Sequence, residues 1–352
     1  MARWYRDHYE WVLTLIWEEL LEVDPISVRD NFFDLGGTEK SYEVMVEEVQ
    51  RRFGVSLEDD STSTIETLAL DVRTRRNSSG LKQKPFFIPG SGAGSIPLVY
   101  IHGVAGECMF DPRLLRFDMG RPIVSIRSIG MDLEEAPLTT VEAMVERYVA
   151  DLTEISVGEP YVIAGSSASA VIAFAMAQWL EEQGKTVAYA GLLEPPLLGD
   201  EEPPEFQVAV QHRMRELCLG GEVDFRPGQM EMNVQALKNA GDIPRSYPTD
   251  LVLRHAEVFG YNVRAANLYR PTDRFSGHAV LYESREFGRG REPIGSLDAP
   301  PVTMPQYEQF WVKYLPPRTL VRRQNCEHRS IDRTKLIRTW LRDDINEALR
   351  HI

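Results

Sequence analysis

The chain contains little cysteine, and the spacing of its cysteines is not that of a metal site. Only three of its 352 residues are cysteine, and Cys108, Cys218 and Cys326 lie far apart along the sequence. So few scattered thiols, odd in number, do not make a disulfide framework or a zinc-binding motif. We therefore expect no metal site, and the cysteine usage favours a reducing, cytoplasmic compartment.

Positive charge and long apolar runs are scarce as well. The net charge is −14, with 39 basic against 53 acidic residues, which argues against nucleic acid or an anionic membrane as partner. No apolar run approaches the roughly 20 residues that cross a bilayer. Met1–Leu20 mixes charges into its apolar positions, unlike a signal peptide. Hydrophobic residues make up 43% of the chain, enough for the cores of two soluble domains.

Residues 1–76 have the pattern of a small helical bundle. Apolar residues recur at helical spacing in Trp11–Leu21 and Thr38–Phe53, and a third helix is predicted over Thr64–Val72. From residue 77 to residue 95 the sequence is rich in serine, proline and glycine. This composition predicts a linker over 77–95.

The remainder of the chain, 96–352, alternates short β-rich runs with helical patterns, which predicts an α/β fold with a mostly parallel sheet. The β-rich run at Tyr161 leads into Gly165-Ser166-Ser167-Ala168-Ser169, and a helical pattern follows. Strand, sharp turn and helix are the context in which a G-x-S-x-G-like pentad exposes a nucleophilic serine, here Ser167. Ser169 replaces the last glycine, and a plain turn of small residues is the alternative interpretation.

Serine chemistry of this kind needs a base and a carboxylate in addition to the hydroxyl. In hydrolases of this architecture the order along the chain is serine, acid, histidine. Glu194 follows the next predicted strand, and His328 lies on a loop after the last one. Glu283, at the end of a further strand, is the alternative acid. We interpret His102 as a structural turn residue, not a second base.

Two stretches carry resemblances to known families. The run N-F-F-D-L-G-G-T and the later R-R-F-G-V-S-L resemble the carrier domains of nonribosomal peptide and polyketide assembly lines, over about Tyr9–Thr74. In that family a serine after the G-G-T/H step bears the phosphopantetheine arm, but this chain has Glu39 there. Ser41 is an alternative attachment residue, about 200° around the helix from that position at about 100° per residue. The resemblance therefore implies phosphopantetheine on a partner carrier, and an armless carrier fold here. Ser41 or an engineered change at residue 39 stays open as the competing explanation.

Residues from about Ile96 to Leu349 resemble the type I thioesterase domains of such assembly lines, which are α/β-hydrolases. The matching pieces are V-Y-I-H-G-V-A-G, the serine elbow, G-L-L-E-P-P and the final E-H-R-S. The resemblance implies a catalytic triad of Ser167, Glu194 and His328, with oxyanion donors at the amides of Val104 and Ala168. It also implies a helical lid over about 197–270, and no cofactor in this domain.

The leading hypothesis is a thioesterase that releases an acyl or peptidyl chain from a carrier-bound thioester by hydrolysis, cyclisation or transfer. The partners would be upstream synthetase modules or a separate carrier protein, and the abrupt start suggests an excised fragment or a late-acting subunit. The departures at Glu39 and Ser169 allow a second hypothesis, a docking or scaffold module without turnover. A stand-alone hydrolase of small esters is the third.

Overall fold

The computed structural model describes residues 7–57, 64–79, 82–88, 92, 95–107, 119–198, 205–216, 228–241, 243, 245, 247–284, 310–326, 331 and 334–352. The chain divides into two compact units. The first comprises Met1–Lys82 with Asp132–Glu134, and the second comprises Gln83–Met131 with Glu135–Ile352.

The described residues of the first unit form the helices α1 (His8–Leu21), α2 (Glu39–Phe53) and α3 (Ile65–Ser79). Its core forms around Phe32, whose ring lies 4.9 Å from that of Trp17 in an edge-to-face contact. A Cβ at Gly37 would collide with the Phe32 ring, so this position of the G-G-T step admits only glycine. The predicted helical bundle is therefore confirmed.

The second unit is built on a seven-stranded sheet. Its strands are β1 (Phe86–Ile88), β2 (Leu98–Ile101), β3 (Ile123–Ile126), β4 (Tyr161–Ser166), β5 (Val187–Leu193), β6 (Ala279–Ser284) and β7 (Leu320–Gln324). They are arranged in the order β1-β3-β2-β4-β5-β6-β7. Only β1 is antiparallel to its neighbour, and the other pairs are parallel. The α/β fold predicted from the sequence is confirmed.

Helices cover both faces of the sheet. On one face α4 (Val141–Glu154) and α5 (Ala168–Glu182) bury an apolar cluster that includes Ile163, Leu192 and Leu281. Because side chains alternate along a strand, Tyr282 points to the opposite face. There its hydroxyl donates to Asp344 Oδ2 at 2.8 Å, on α9 (Lys335–Leu349).

Parallel pairing brings the carboxyl ends of three strands together. Ser166 at the end of β4 is in register with Leu193 at the end of β5, and Leu193 is in register with Tyr282 on β6. The next residues along these strands therefore meet at one edge of the sheet. This is the edge at which open α/β sheets place their functional groups.

A helical insertion lies between β5 and β6 and comprises α6 (Phe206–Glu216), α7 (Met230–Ala240) and α8 (Thr249–Leu268). Its helices share an apolar core, which includes Met214, Val234, Leu237 and Val252. The insertion falls in the segment for which a lid was predicted, 197–270.

The predicted linker, 77–95, is wrong in part. Helix α3 continues to Ser79, and Phe86–Ile88 is a strand of the sheet, paired antiparallel with β3. The sequence did not predict this strand because three residues are too few to show the two-residue alternation of a β-strand. Its pairing depends on β3, which lies more than 30 residues later in the sequence.

Candidate active site and carrier helix

Ser167 occupies a strained turn between β4 and α5. Its backbone has φ 57° and ψ −127°, a conformation that non-glycine residues rarely adopt. Its amide donates to Leu193 O at 2.8 Å, which ties the turn to the end of β5. Ser167 precedes the first residue of α5, yet its side chain makes no capping hydrogen bond to that helix. This is the geometry of a nucleophile elbow.

The small residues on either side explain how the turn closes. A Cβ at Gly165 would overlap the backbone of Ser169, so β4 and α5 approach too closely there for any side chain. Ser169, which replaces the last glycine of the pentad, is buried, and its hydroxyl donates to the carbonyl of His102. The departure from glycine is thus accommodated by a hydrogen bond to the loop after β2.

Glu194 follows β5 directly, and its side chain is 3% exposed. Its backbone amide donates to Tyr282 O at 2.8 Å, and its Oε1 accepts a hydrogen bond of 2.8 Å from the amide of Ser284. Since β4 and β5 are neighbours, Glu194 and Ser167 lie at adjacent strand ends. The carboxylate is held by the backbone and buried beside the elbow.

Glu283, the alternative acid, lies within β6 and is fully buried. Its Oε2 accepts a hydrogen bond of 3.0 Å from Nε of Arg323 on β7, so the two form an ion pair. A guanidinium already neutralises this carboxylate.

The third predicted triad member, His328, lies outside the described residues, as do Cys108 and Cys218. Cys326, two positions before His328, is half-buried. The structure therefore brings two of the three predicted triad residues to one edge of the sheet. In the described part of the chain, no group of three or more His, Cys, Asp or Glu side chains could hold a metal ion.

His102 ends the strand region before the loop 103–107 and is buried. Its Nδ1 lies 2.7 Å from Gly103 O, and its Nε2 lies 2.8 Å from the hydroxyl of Tyr148. Burial lowers the pKa of His102 to about 4, so the ring is neutral at pH 7. A neutral ring must donate from Nδ1 to the carbonyl and accept from the tyrosine at Nε2. Such a fully engaged imidazole has the environment of a structural residue.

The predicted oxyanion donors lie on two different elements. Ala168 is the first residue of α5, so its amide is one of the helix N-terminal donors without an intrahelical acceptor. Val104 lies in the loop after β2, where Gly106 N donates to Gly103 O at 2.8 Å and Gly103 N donates to Glu107 O at 3.0 Å. The loop is therefore a tight, internally bonded turn.

The start of α2 is where a carrier domain would bear its prosthetic group. Thr38 caps the helix, Glu39 is its exposed first residue, and Ser41 completes a reciprocal capping box with Thr38. The Ser41 hydroxyl accepts from Thr38 N at 2.8 Å and donates to Thr38 O at 3.0 Å. Residue 39 thus offers no hydroxyl, and the nearest one is engaged in local bonds. These residues do not fit an attached phosphopantetheine.

Sequence reasoning missed two buried polar residues near the site, Tyr148 on α4 and Asn262 on α8. Asn262 follows the buried Val258 by four positions and precedes the buried Ala266 by four, so it lies on the apolar stripe of its helix. A polar amide on the apolar stripe of a helix is the sequence feature that could have marked Asn262 as a buried polar residue. No comparable sequence feature marks Tyr148, because tyrosine is common in protein cores.

Comparisons with known proteins agree with both units. The family model described as a phosphopantetheine attachment site matches residues 11–70, and the thioesterase domain model matches residues 116–205. The chain is thus a carrier-like domain followed by a thioesterase domain, as found in nonribosomal peptide synthetases. The first match implies phosphopantetheine on this chain's own carrier domain, whereas the sequence predicted it on a partner carrier.

Several synthetases are similar over part of the chain. Indigoidine synthase of Streptomyces lavendulae is 30% identical over 203 residues, which cover 54% of this chain and 15% of that protein. Malpinin synthetase of Mortierella alpina is 27% identical over 196 residues, 54% of this chain and 2% of that protein. The chain thus spans only a small part of these relatives.

Solved structures show the same fold. A four-domain nonribosomal peptide synthetase in its holo form aligns with 99% of this chain and 26% of its own, at 18% identity and a TM-score of 0.78. The type II thioesterase of the borrelidin biosynthetic cluster aligns with 73% of this chain and 95% of its own, at 13% identity and a TM-score of 0.51. Within the described residues, no helix is long and apolar enough to cross a membrane.

Proposed function

We propose that the second unit releases an acyl or peptidyl chain from a carrier-bound thioester, through an acyl-enzyme on Ser167. The observation that carries the proposal is the strained, non-capping serine between β4 and α5. Backbone strain of this kind costs roughly 1–3 kcal/mol and persists where the surrounding structure enforces it, commonly at active sites. A turn with only a structural role could use glycine here without that cost.

The reaction follows from the chemistry of the three residues. The Ser167 hydroxyl attacks the thioester carbonyl while His328 accepts its proton, and the sulfur leaves as a thiol once His328 returns that proton. Water or a tethered amine or hydroxyl then attacks the acyl-serine, which regenerates Ser167. Glu194 orients the imidazole and stabilises its charged form. The burial of Glu194 and the hydrogen bond that it accepts from the Ser284 amide suit that role. Glu283 is the weaker candidate because it already forms an ion pair with Arg323.

The amides of Val104 and Ala168 would stabilise the oxyanion of the tetrahedral intermediate. The Ala168 amide belongs to the N-terminus of α5, whose helix dipole also favours negative charge there. Removal of one such donor typically costs about 10²–10³ in kcat. The helical insertion would act as the lid that controls whether water reaches the acyl-serine.

The first unit would be a carrier fold without its arm. Glu39 supplies no hydroxyl for phosphopantetheine, and the Ser41 hydroxyl is engaged in the capping box. The acyl donor is then a partner carrier, in the same synthetase or separate from it. The first unit would serve as a docking element.

A fluorophosphonate probe tests the nucleophile. The wild-type chain should gain one phosphonyl group by intact mass, with the adduct on the peptide that contains Ser167. The variant Ser167→Ala should gain none and should lose thioester turnover. Ser166→Ala is the matched control because it removes the neighbouring hydroxyl on β4, and it should still be labelled.

Two results would overturn the proposal. Equal labelling and turnover in wild type and Ser167→Ala would exclude Ser167 as nucleophile. An unlabelled, inactive wild-type chain would favour the scaffold hypothesis. Rates with an acyl N-acetylcysteamine thioester and with the matching methyl ester separate a thioesterase from a hydrolase of small esters, since only the former should prefer the thioester.

A further inference from the structure

The amide side chain of Asn262 reaches from α8 of the helical insertion to the loop that carries Val104. Asn262 is 2% exposed. Its Nδ2 donates to Val104 O at 3.1 Å, and its Oδ1 accepts from the Ser128 hydroxyl at 3.1 Å. Because one end of the amide must donate and the other must accept, only an amide satisfies both neighbours.

Apolar packing brings α8 to the same loop. Phe259 and Val263 of α8, together with Ala209 of α6, form a buried cluster against Val104 and Ala105. Asn262 lies between these two α8 residues in the sequence, so its hydrogen bond is part of one continuous contact. The insertion therefore touches the loop through both polar and apolar groups.

The two peptide groups that flank the Val104 Cα are held independently. Gly103 O accepts from His102 Nδ1 and from the amide of Gly106. A peptide group is planar, and the N–H of Val104 points opposite to that carbonyl, so holding one fixes the direction of the other. The second peptide group, which carries Val104 O, is held by Asn262.

We propose that Asn262 is a positioning residue that fixes the oxyanion-donating amide of Val104, so that the helical insertion controls the rate of acyl transfer. The inference rests on the proposed thioesterase function of this site. When α8 lies against the loop, both peptides flanking Val104 are held. When α8 moves away, the hydrogen bond to Val104 O is lost, and the backbone at Val104 is held only on the side of Gly103 O, so the donor amide is positioned less precisely.

Asn262→Asp and Asn262→Ala test this role, with Asn267→Asp and Asn267→Ala as matched controls. The Asp substitution keeps the shape but replaces the donor facing Val104 O with a second acceptor. Asn267 is on the same helix, 6% exposed, and its Nδ2 donates to Val263 O at 2.9 Å within the helix. The Asn262 variants therefore lose a hydrogen bond to the loop that carries Val104, whereas the Asn267 variants lose a hydrogen bond within α8.

The expected signature is a fall in kcat of about tenfold or more at unchanged KM, smaller than the 10²–10³ lost with an oxyanion donor itself. The affinity for an alkylboronic acid, whose serine adduct places an oxygen where the oxyanion forms, should fall by a similar factor. The Asn267 variants should retain wild-type kcat and boronic acid affinity. Ser128→Ala should show the same signature more weakly, and it decides the matter if the Asn262 variants do not fold.

Equal kinetics in the Asn262 and Asn267 variants would overturn the inference, as would a change in KM alone. In that case the wild-type chain still turns over thioester and labels at Ser167, so the proposed function survives. If the wild-type chain neither turns over thioester nor labels, the proposed function fails, and the inference about Asn262 fails with it.

Discussion

Helices α2 and α5 both begin beside a serine, and they use it in opposite ways. At the start of α2, Thr38 caps the helix from an extended conformation with φ −117°, and the Ser41 hydroxyl completes the capping box. At the start of α5, Ser167 holds the cap position in a strained conformation with φ 57° and makes no capping bond. The first arrangement stabilises its helix locally, whereas the second gives up that stabilisation.

The capping bond and the backbone conformation thus distinguish a structural serine from a candidate nucleophile, independently of any sequence motif. A hydroxyl that accepts from the helix N-terminus satisfies an orphan backbone donor, which is worth about 1 kcal/mol. A serine that is held in a strained turn and makes no capping bond does not stabilise its helix, which indicates a role other than capping. By this criterion the proposed chemistry belongs to the second unit, and the proposed role of the first unit is that of a carrier fold without its arm.

The contrast between the two helix starts is tested most directly by a variant that places a serine at the exposed first position of α2. Glu39→Ser should gain one phosphopantetheine on incubation with coenzyme A and a broad-specificity phosphopantetheinyl transferase, because the new hydroxyl is exposed. The wild-type chain should gain none. Intact-protein mass spectrometry measures both.

The double variant Glu39→Ser with Ser41→Ala controls for the site, and it should gain one group as well. A mass gain in the wild-type chain that Ser41→Ala abolishes would contradict the armless interpretation, because it would identify Ser41 as an attachment residue. The thioesterase unit could then be loaded from its own chain.

The next largest effect is expected at the carboxylate beside Ser167. Glu194→Gln should lower kcat by on the order of 10³, since the neutral amide no longer stabilises the charged imidazole. Gln keeps an oxygen to accept from the Ser284 amide, so the fold should hold. Steady-state kinetics with an acyl N-acetylcysteamine thioester measures the change.

Glu283→Gln is the matched control for that variant. It breaks the ion pair with Arg323, so it should lower the unfolding temperature and leave kcat close to that of wild type. The reverse pattern, with a large kcat loss in Glu283→Gln only, would make Glu283 the triad acid. The elbow serine would then keep its role with a different partner.

The sequence predicted what depends on local pattern and chain order. The helices α1 and α2, the strand β5 and the elbow around Ser167 each have a periodic or motif signal. The strand β1 and the hydrogen bond of Asn262 to Val104 O do not, because each depends on a partner distant in sequence. Parallel pairing explains why Glu194 could be placed, since strand ends converge whatever lies between them.

A smaller effect is expected from Ser41→Ala, which removes half of the capping box. The first turn of α2 should lose roughly 0.5–1 kcal/mol of local stability. Hydrogen exchange of the amides in α2, measured in the full chain by mass spectrometry, should become faster there. Ser78→Ala is the control, because its hydroxyl donates to Thr74 O within α3, and exchange in α2 should not change.

The smallest expected effect tests the strain at Ser167. Ser167→Ala and Ser167→Gly both lack the hydroxyl, but only glycine adopts φ 57° without a steric cost, so the Gly variant should be more stable by about 1 kcal/mol. At Ser166, within β4, the order should reverse, because glycine weakens a strand. Thermal unfolding of the four variants measures both differences. If Ser167→Gly were less stable than Ser167→Ala, the turn would carry no strain, and the contrast between the two helix starts would rest on capping alone.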